Sequence, residues 1–230
     1  MNDKKYDLIC SLGGSCAVAH NLKIRDLRDA AYPFDWVYFT TDEAIYQIAE
    51  GFKTKFAKYM LKENLVELPV NPSHPDKIQL LDSWGKIIWA NQFTYGSNFD
   101  VTYAKVKKTF DKRFSRLLEK VEKSNRICFI LCSSFSLKKD SVEFLFKTLQ
   151  ELYPNKEFQI KVVSFDNEKD VHVQNENLEF FYYSRKLNLY DFNKTNYEWE
   201  FLDRLKPAKK SRNKLSLRLF GYKIKINWSK

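Results

Sequence analysis

The feature that most constrains the fold is the run Arg126-Ile127-Cys128-Phe129-Ile130-Leu131-Cys132-Ser133-Ser134. Apolar residues follow one another without the alternation of a half-wet strand, and a polar pair closes the run. A segment of that length and pattern is a strand covered on both faces. Such a strand needs a layer above it and a layer below it, and the residues downstream supply the pattern for them. Ser141 to Tyr153 carries Val142, Leu145, Phe146 and Leu149 at helical spacing and stops at Pro154. Phe158–Phe165 and Leu178–Tyr183 then read as further strands. Strand, helix and strand at these lengths make a βαβ unit with a parallel sheet. The expected fold class is therefore α/β, an open and mostly parallel sheet flanked by helices in a three-layer sandwich.

The N-terminal stretch fits the same sheet. Tyr6-Asp7-Leu8-Ile9-Cys10 leads into Ser11-Leu12-Gly13-Gly14-Ser15-Cys16 and then Ala17-Val18-Ala19-His20-Asn21-Leu22. This predicts a buried strand, a tight glycine turn and a helix from about Cys16 to Leu27, with Ala17, Leu22 and Ile24 buried. Cys16 then stands at a helix N-terminus, where unpartnered N–H groups and the helix dipole favour an anion. A thiolate there is a nucleophile, and the same turn could bind an anionic ligand through Gly13, Gly14 and Ser15. In open α/β sheets ligands sit at the carboxyl ends of the strands, which predicts a cleft shared by Gly13–Cys16, Ser133-Ser134 and Asp166-Asn167.

Tyr32-Pro33-Phe34-Asp35-Trp36 places two aromatics around a carboxylate. One reading pairs a partly desolvated Asp35 with Arg25 or Arg28 beside the glycine turn, with Trp36 among the ligand-binding residues. The other lets Phe34 and Trp36 fill the core while Asp35 caps a helix that begins near Thr41-Asp42. That second helix runs to about Phe52, and its apolar face continues through Phe56 and Tyr59. Residues 64–100 give little beyond a rigid loop, Pro69, Pro72 and Pro75 around His74, and a turn at Trp84-Gly85-Lys86 entering a short strand. From Val101 to Lys123 the spacing of Val106, Phe110, Phe114, Leu117 and Val121 predicts a helix ringed by cations, of which Arg113 could reach an anionic ligand.

The net charge is +10 over 230 residues, but nine of the ten net positive charges lie from Lys206 onward, where no acid occurs. Residues 1–205 read as one α/β domain of nearly neutral charge, and residues 206–230 as a basic amphipathic tail. Leu215, Leu217 and Leu219, then Ile224, Ile226 and Trp228, alternate with polar residues on either side of Phe220-Gly221, which predicts a hairpin with one apolar and one basic face. Such a tail could dock on the body, a partner or an anionic membrane surface. A neutral body excludes a broad phosphate-tracking face, so no nucleic-acid partner is expected. With no signal-peptide pattern and no apolar run of about 20 residues, the expected location is the cytoplasm, with contact at the inner face of the membrane through the tail. The four cysteines then stay reduced, and their spacing suits neither a zinc site nor another metal. Cys128 and Cys132 should share one buried face of their strand.

The glycine turn lacks the lysine of a P-loop and the third glycine of a dinucleotide site, and no cofactor is expected. A thiol nucleophile needs a base within hydrogen-bond reach and a group that orients it. Three histidines are available: His20, one helical turn after Cys16, His74 in the proline loop, and His172 beyond the strand ending at Phe165. The candidate catalytic set is Cys16 with His20 or His172 as base and Asp35 as the orienting carboxylate. The candidate ligand-binding set is Gly13, Gly14, Ser15, Arg25, Arg28, Trp36, Arg113, Ser133 and Ser134.

Ser11-Leu12-Gly13-Gly14-Ser15-Cys16-x-x-Ala19, Leu27-Arg28 and Tyr32-Pro33-Phe34-Asp35-Trp36, with Lys112-Arg113-x-x-Arg116-Leu117 before the strand at Ile127, resemble a bacterial family of unknown function labelled putative papain-like cysteine peptidases. The resemblance covers about residues 6–166. It implies a peptidase or a related thiol hydrolase or acyl transferase with Cys16 as nucleophile, acting on a peptide, acyl or glycan-type substrate. It also implies a link to surface-polysaccharide synthesis. The family's His-Asp-Phe triplet corresponds here to Asn91-Gln92-Phe93, a departure that would remove the family's general base. The other function class is a binding module for an anionic sugar, phosphate or sugar nucleotide at the Gly13–Cys16 turn.

Overall fold

A computed structural model describes residues 5–135, 137–166, 171–174, 176–184, 197–208, 214–219 and 222–227. In chain order the elements are β1 (Lys5–Tyr6), β2 (Leu8–Gly13), α1 (Cys16–Ile24), β3 (Val37–Phe39), α2 (Glu43–Lys53), β4 (Leu65–Glu67), β5 (Lys77–Asp82) and β6 (Ile87–Thr94). They continue with α3 (Phe99–Lys123), β7 (Arg126–Ser133), α4 (Lys139–Leu152), β8 (Glu157–Asp166), β9 (Val171–Gln174) and β10 (Leu178–Ser184). A 3-10 helix (Tyr197–Arg204), β11 (Lys206–Pro207), β12 (Lys214–Leu219) and β13 (Tyr222–Asn227) complete the described chain.

The central sheet has the order β2-β7-β8-β10-β9, with β2, β7, β8 and β10 parallel and β9 antiparallel on the edge. The uninterrupted apolar run of β7 is explained by what covers it. Ile127, Phe129 and Leu131 face a core built with α2, α3 and α4. Cys128, Ile130 and Cys132 face a second core with Ala17, Val18 and Leu22 of α1 and Trp199 and Phe201 of the 3-10 helix. The two cysteines thus share a face, as strand period requires, and the three-layer expectation holds. The predicted strands at Phe158–Phe165 and Leu178–Tyr183 are β8 and β10, in parallel register from Leu178↔Ile160 onward.

Two expectations are corrected. The first helix ends at Ile24 rather than Leu27, because Asp26 turns left-handed at φ +56° and the Leu27 N–H donates back to the Leu22 carbonyl, 2.9 Å away. The larger correction is a second sheet, wholly antiparallel, in the order β3-β6-β5-β4. The residues that looked like a loop and one short strand form most of it.

Phe34, in the loop before β3, lays its ring edge-on to Phe56, Tyr59 and Phe114 at 5.7 to 5.8 Å and so ties that loop to α3 and to the segment after α2. Asp82, fully buried at the end of β5, accepts from the Met60 N–H at 2.8 Å and the Gly85 N–H at 2.9 Å, so the β5–β6 turn is held to the segment after α2. Asp35 does not cap α2; Asp42 stands at its N-cap without a side-chain cap bond, and its carboxylate accepts from the Lys138 N–H and the Ser141 hydroxyl and joins α2 to α4.

At the tail, β12 and β13 pair antiparallel with Phe220-Gly221 between them, and the register sets Leu215 opposite Ile226 and Leu217 opposite Ile224. The antiparallel pairing is the one the alternation predicts; Trp228 lies outside the described residues. The tail's first residues are not loose, since β11 pairs parallel with β1 and the Ala208 N–H donates to the Tyr6 carbonyl at 2.7 Å. No helix among the described residues is long and apolar enough to cross a membrane.

Candidate functional site

Two glycines set the position of the thiol. Gly13 and Gly14 have φ of +99° and +87°, left-handed values that glycine adopts without a steric cost. A Cβ on Gly14 would lie 1.7 Å from the Cys132 carbonyl oxygen and 2.7 Å from the Phe39 ring, so the turn rests directly on the end of β7. Ser15 follows in extended conformation and caps α1 by accepting from the Ala17 N–H at 3.2 Å. Cys16 is thereby the first residue of α1. It is half-buried, and its Sγ lies 3.4 Å from the Tyr38 hydroxyl of β3.

Cys16 opens into a cavity of about 530 Å³. One wall is α1, with Cys16, Ala17 and His20; side chains one helical turn apart share a face, so thiol and imidazole open onto the same space. The loop into β3 gives Trp36 and Tyr38. The opposite wall belongs to the antiparallel sheet: Asn71, Ser73 and His74 from the β4–β5 loop, Gln79 of β5, and Ala90 and Asn91 of β6. The loop is shaped by Asn71, whose side-chain oxygen accepts from the Ser73 N–H at 2.9 Å and whose carbonyl accepts from the His74 N–H at 2.9 Å.

The sheet wall contains an irregularity. Ile78 pairs with Phe93 and Leu80 with Trp89, so the single residue Gln79 faces three on β6. Asn91 sits in this bulge at φ +60°. Bulges re-aim side chains, and asparagine is one of the few residues that tolerates the left-handed region. Gln79, Ala90 and Asn91, the residues at the irregularity, are the ones the sheet contributes to the cavity.

Of the residues predicted from sequence, Cys16, His20 and Trp36 meet in this cavity. Gly13, Gly14 and Ser15 build the turn behind it. Asp35 does not line it: the residue is 1 % exposed and its carboxylate is held by the Arg28 guanidinium and by the Tyr32 N–H at 2.8 Å. Burial pushes the Asp35 carboxyl above the ordinary range, and the Arg28 charge and the Tyr32 N–H pull it back. Both sequence readings of this motif are thus partly met: Phe34 is core, Asp35 is paired with Arg28, and Trp36 is on the surface at 39 % exposure. Arg25 reaches Asn21 at 2.8 Å and Asp203 at 2.9 Å, away from the cavity lining. Arg113 lies against the Phe110 ring, 4.9 Å from its centroid, and it does not line the cavity either.

Ser133 is fully buried and accepts from the Phe135 N–H at 3.1 Å, while Ser134 is exposed; neither faces Cys16. The predicted cleft across the strand ends is replaced by one between α1 and the second sheet, because the Gly14 turn is packed flat on the end of β7. Asn167 lies outside the described residues. His172 is on β9, four strands from β2, a separation of about 19 Å at ordinary strand spacing. That excludes it as a partner for Cys16. His74, weighed from the sequence only as one of three histidines, lines the cavity together with His20. Tyr38, Asn71 and Gln79 carried no motif and were missed; Asn91 was marked only through the resemblance.

The electrostatics favour a neutral base. His20 has its pKa lowered, first by burial and then by the charges of Lys23 and Arg25, so its imidazole is unprotonated at neutral pH. Cys10, Cys128 and Cys132 are fully buried, and burial pushes the Cys10 and Cys128 thiols up, the latter to about 12. None of the eleven lining residues is Lys, Arg, Asp or Glu. A broader hollow of about 660 Å³ along α3 is an open helix flank where Lys107 pairs with Asp111, and neither cysteine nor histidine lines it. Among the described residues no group of three His, Cys, Asp or Glu side chains is placed to hold a metal ion. The arrangement brings to one cavity a half-buried thiol, an imidazole one helical turn away and a phenol hydroxyl 3.4 Å from the sulfur, the kinds of group that thiol attack on a carbonyl carbon requires.

The family model described as "Putative papain-like cysteine peptidase (DUF1796)" matches residues 7–168. No curated protein and no solved structure matches the chain.

Proposed function

The chain belongs to this family of putative papain-like cysteine peptidases, and from that premise we propose that it is a thiol hydrolase or acyl transferase whose nucleophile is Cys16. His20 removes the thiol proton as sulfur attacks the substrate carbonyl. The Tyr38 hydroxyl stands beside the sulfur and can donate to the oxygen that gains charge. Collapse of the tetrahedral species breaks the bond to the leaving amine or alcohol, which takes the proton back from His20. A water then hydrolyses the thioester, or an acceptor nucleophile takes the acyl group.

One observation carries this reading: Cys16, at the start of α1, opens into a 530 Å³ cavity that it shares with His20. The cavity lining contains no arginine or lysine, and this removes the support for an anion-binding module at the same turn. The test is the rate of Cys16 alkylation by limiting iodoacetamide, read by peptide mass spectrometry against 2-mercaptoethanol at pH 7. The buried cysteines are no reference, because exclusion of reagent alone would protect them. A rate above that of the free thiol, lost in His20→Asn, supports the reading; a rate at or below it overturns it. For the tail we propose docking on an anionic surface, supported by its nine cations and by the hairpin register. Sedimentation with phosphatidylserine vesicles, with and without residues 209–230, tests that separately.

A further inference from the structure

The wall across from α1 is built from a bulge that carries Asn91, at positive φ, to the cavity lining, and from residues none of which is Lys, Arg, Asp or Glu. Almost a third of the chain is charged, 30 %, yet none of the lining residues is. In their place stand three primary amides, Asn71, Gln79 and Asn91. They are not equivalent. The Asn71 oxygen is taken by the Ser73 N–H, which leaves its amino group to donate. The side-chain amides of Gln79 and Asn91 make no hydrogen bond among the described residues, so each offers a donor and an acceptor. Asn91 keeps a left-handed backbone at φ +60° inside the bulge, a conformation that costs free energy and turns the residue out of the strand's alternation.

A cavity of this composition discriminates by matching. A carboxamide presents one donor edge and one acceptor edge, and each can be met by these amides. A carboxylate of the same shape presents acceptors only and enters without a full positive charge to offset its lost hydration. The positive end of α1 is a partial charge, and its Ala17 N–H is already used by Ser15. We infer that the site selects an uncharged, carboxamide-bearing acyl group over the isosteric carboxylate, and that Gln79 and Asn91 are the residues that read it, with Asn71 as an additional donor. Trp36, half-exposed at the rim, covers the apolar part of the same group. This inference rests on the assignment of the cavity as the substrate site, and it names the class of substrate.

Two arms test it at pH 8, above the ordinary histidine range. The first uses the full chain with Cys16→Ala, so that thiol chemistry plays no part, and titrates N-acetylglutamine N-methylamide against N-acetylglutamate N-methylamide, with tryptophan fluorescence as readout and Trp36→Phe as control. The glutamine derivative should bind at least about tenfold more tightly, and Gln79→Leu with Asn91→Ala should reduce the discrimination to below about threefold. Equal binding, preference for the glutamate derivative, or no binding of either overturns the inference. The second arm compares alkylation of Cys16 by iodoacetamide and by iodoacetate. The ratio of the two rates should exceed that of 2-mercaptoethanol by about tenfold, and a ratio equal to that of the free thiol overturns the inference even where Cys16 is fast. A slow Cys16 beside selective binding of the glutamine derivative overturns the nucleophile assignment and leaves the selectivity standing.

Discussion

The cavity lies between two left-handed turns of backbone that are left-handed for opposite reasons. At Gly14 the chain has no room for a side chain, because a Cβ would sit 1.7 Å from the Cys132 carbonyl. At Asn91 the chain carries a side chain that reaches into the cavity, at the same sign of φ and with asparagine as the tolerated residue. The first kink is required by packing against the central sheet. The second is not required by the pairing of β5 and β6, since an unbulged ladder would hold those strands as well. The difference separates what fixes the nucleophile from what shapes the opposite wall.

Substitutions at and around the two kinks sharpen this contrast. Gly14→Ala should cost more than about 4 kcal/mol, because neither the carbonyl of β7 nor the Phe39 ring can yield that distance; denaturant unfolding should find little folded protein. Asp35→Ala should cost about 3 kcal/mol by leaving the Arg28 guanidinium, 16 % exposed, without its carboxylate, and the loss should appear in the urea midpoint. Asn91→Val should cost about 1–2 kcal/mol through its β-branched side chain at positive φ, whereas Asn91→Gly should stay within about 0.5 kcal/mol; equal losses for both would show that the side chain, not the backbone, is what β6 needs. Cys16→Ala should change stability by less than about 0.5 kcal/mol, since the thiol is half-buried and its Tyr38 contact is 3.4 Å, while acyl-enzyme formation on that residue disappears in intact-mass measurements.

A pH profile adds one more check on the α1 wall. The imidazole must be neutral to accept the thiol proton, and burial with the Lys23 and Arg25 charges lowers the pKa of His20. The acid limb of Cys16 alkylation should therefore fall below the ordinary histidine range, and it should vanish in His20→Asn. A limb at the usual value would assign the base to another group.

The parts of this molecule that the sequence made legible are those where burial is symmetric or where one residue type is sterically compelled. The run of β7 announced two covering layers because six consecutive apolar residues have no wet face. The Gly13-Gly14 pair announced the turn and so the place of Cys16. The antiparallel sheet was hidden because its alternation is broken where it lines the cavity: Ala90-Asn91-Gln92 interrupts β6, and the ladder slips between Ile78 and Leu80. His74 is 58 residues from Cys16 in the chain, and nothing local in Asn71-Pro72-Ser73-His74 reveals that the loop folds over α1. His172 misled because chain order carries no information about which edge of a sheet a strand will take, and β9 took the far one.

The seating of Gly14 on the end of β7 gives the protein a division between a fixed datum and an exchangeable part. The Cys16 sulfur is located by contacts that run inward, through the turn to the most enclosed strand of the sheet. The side chains of the facing wall are located by contacts that run outward, through a hairpin and its loops. Insertion, deletion or recombination within residues 65–94 would therefore reshape that wall while Cys16 keeps its place. An engineer who wants a differently shaped cavity would graft that block and leave residues 8–16 alone.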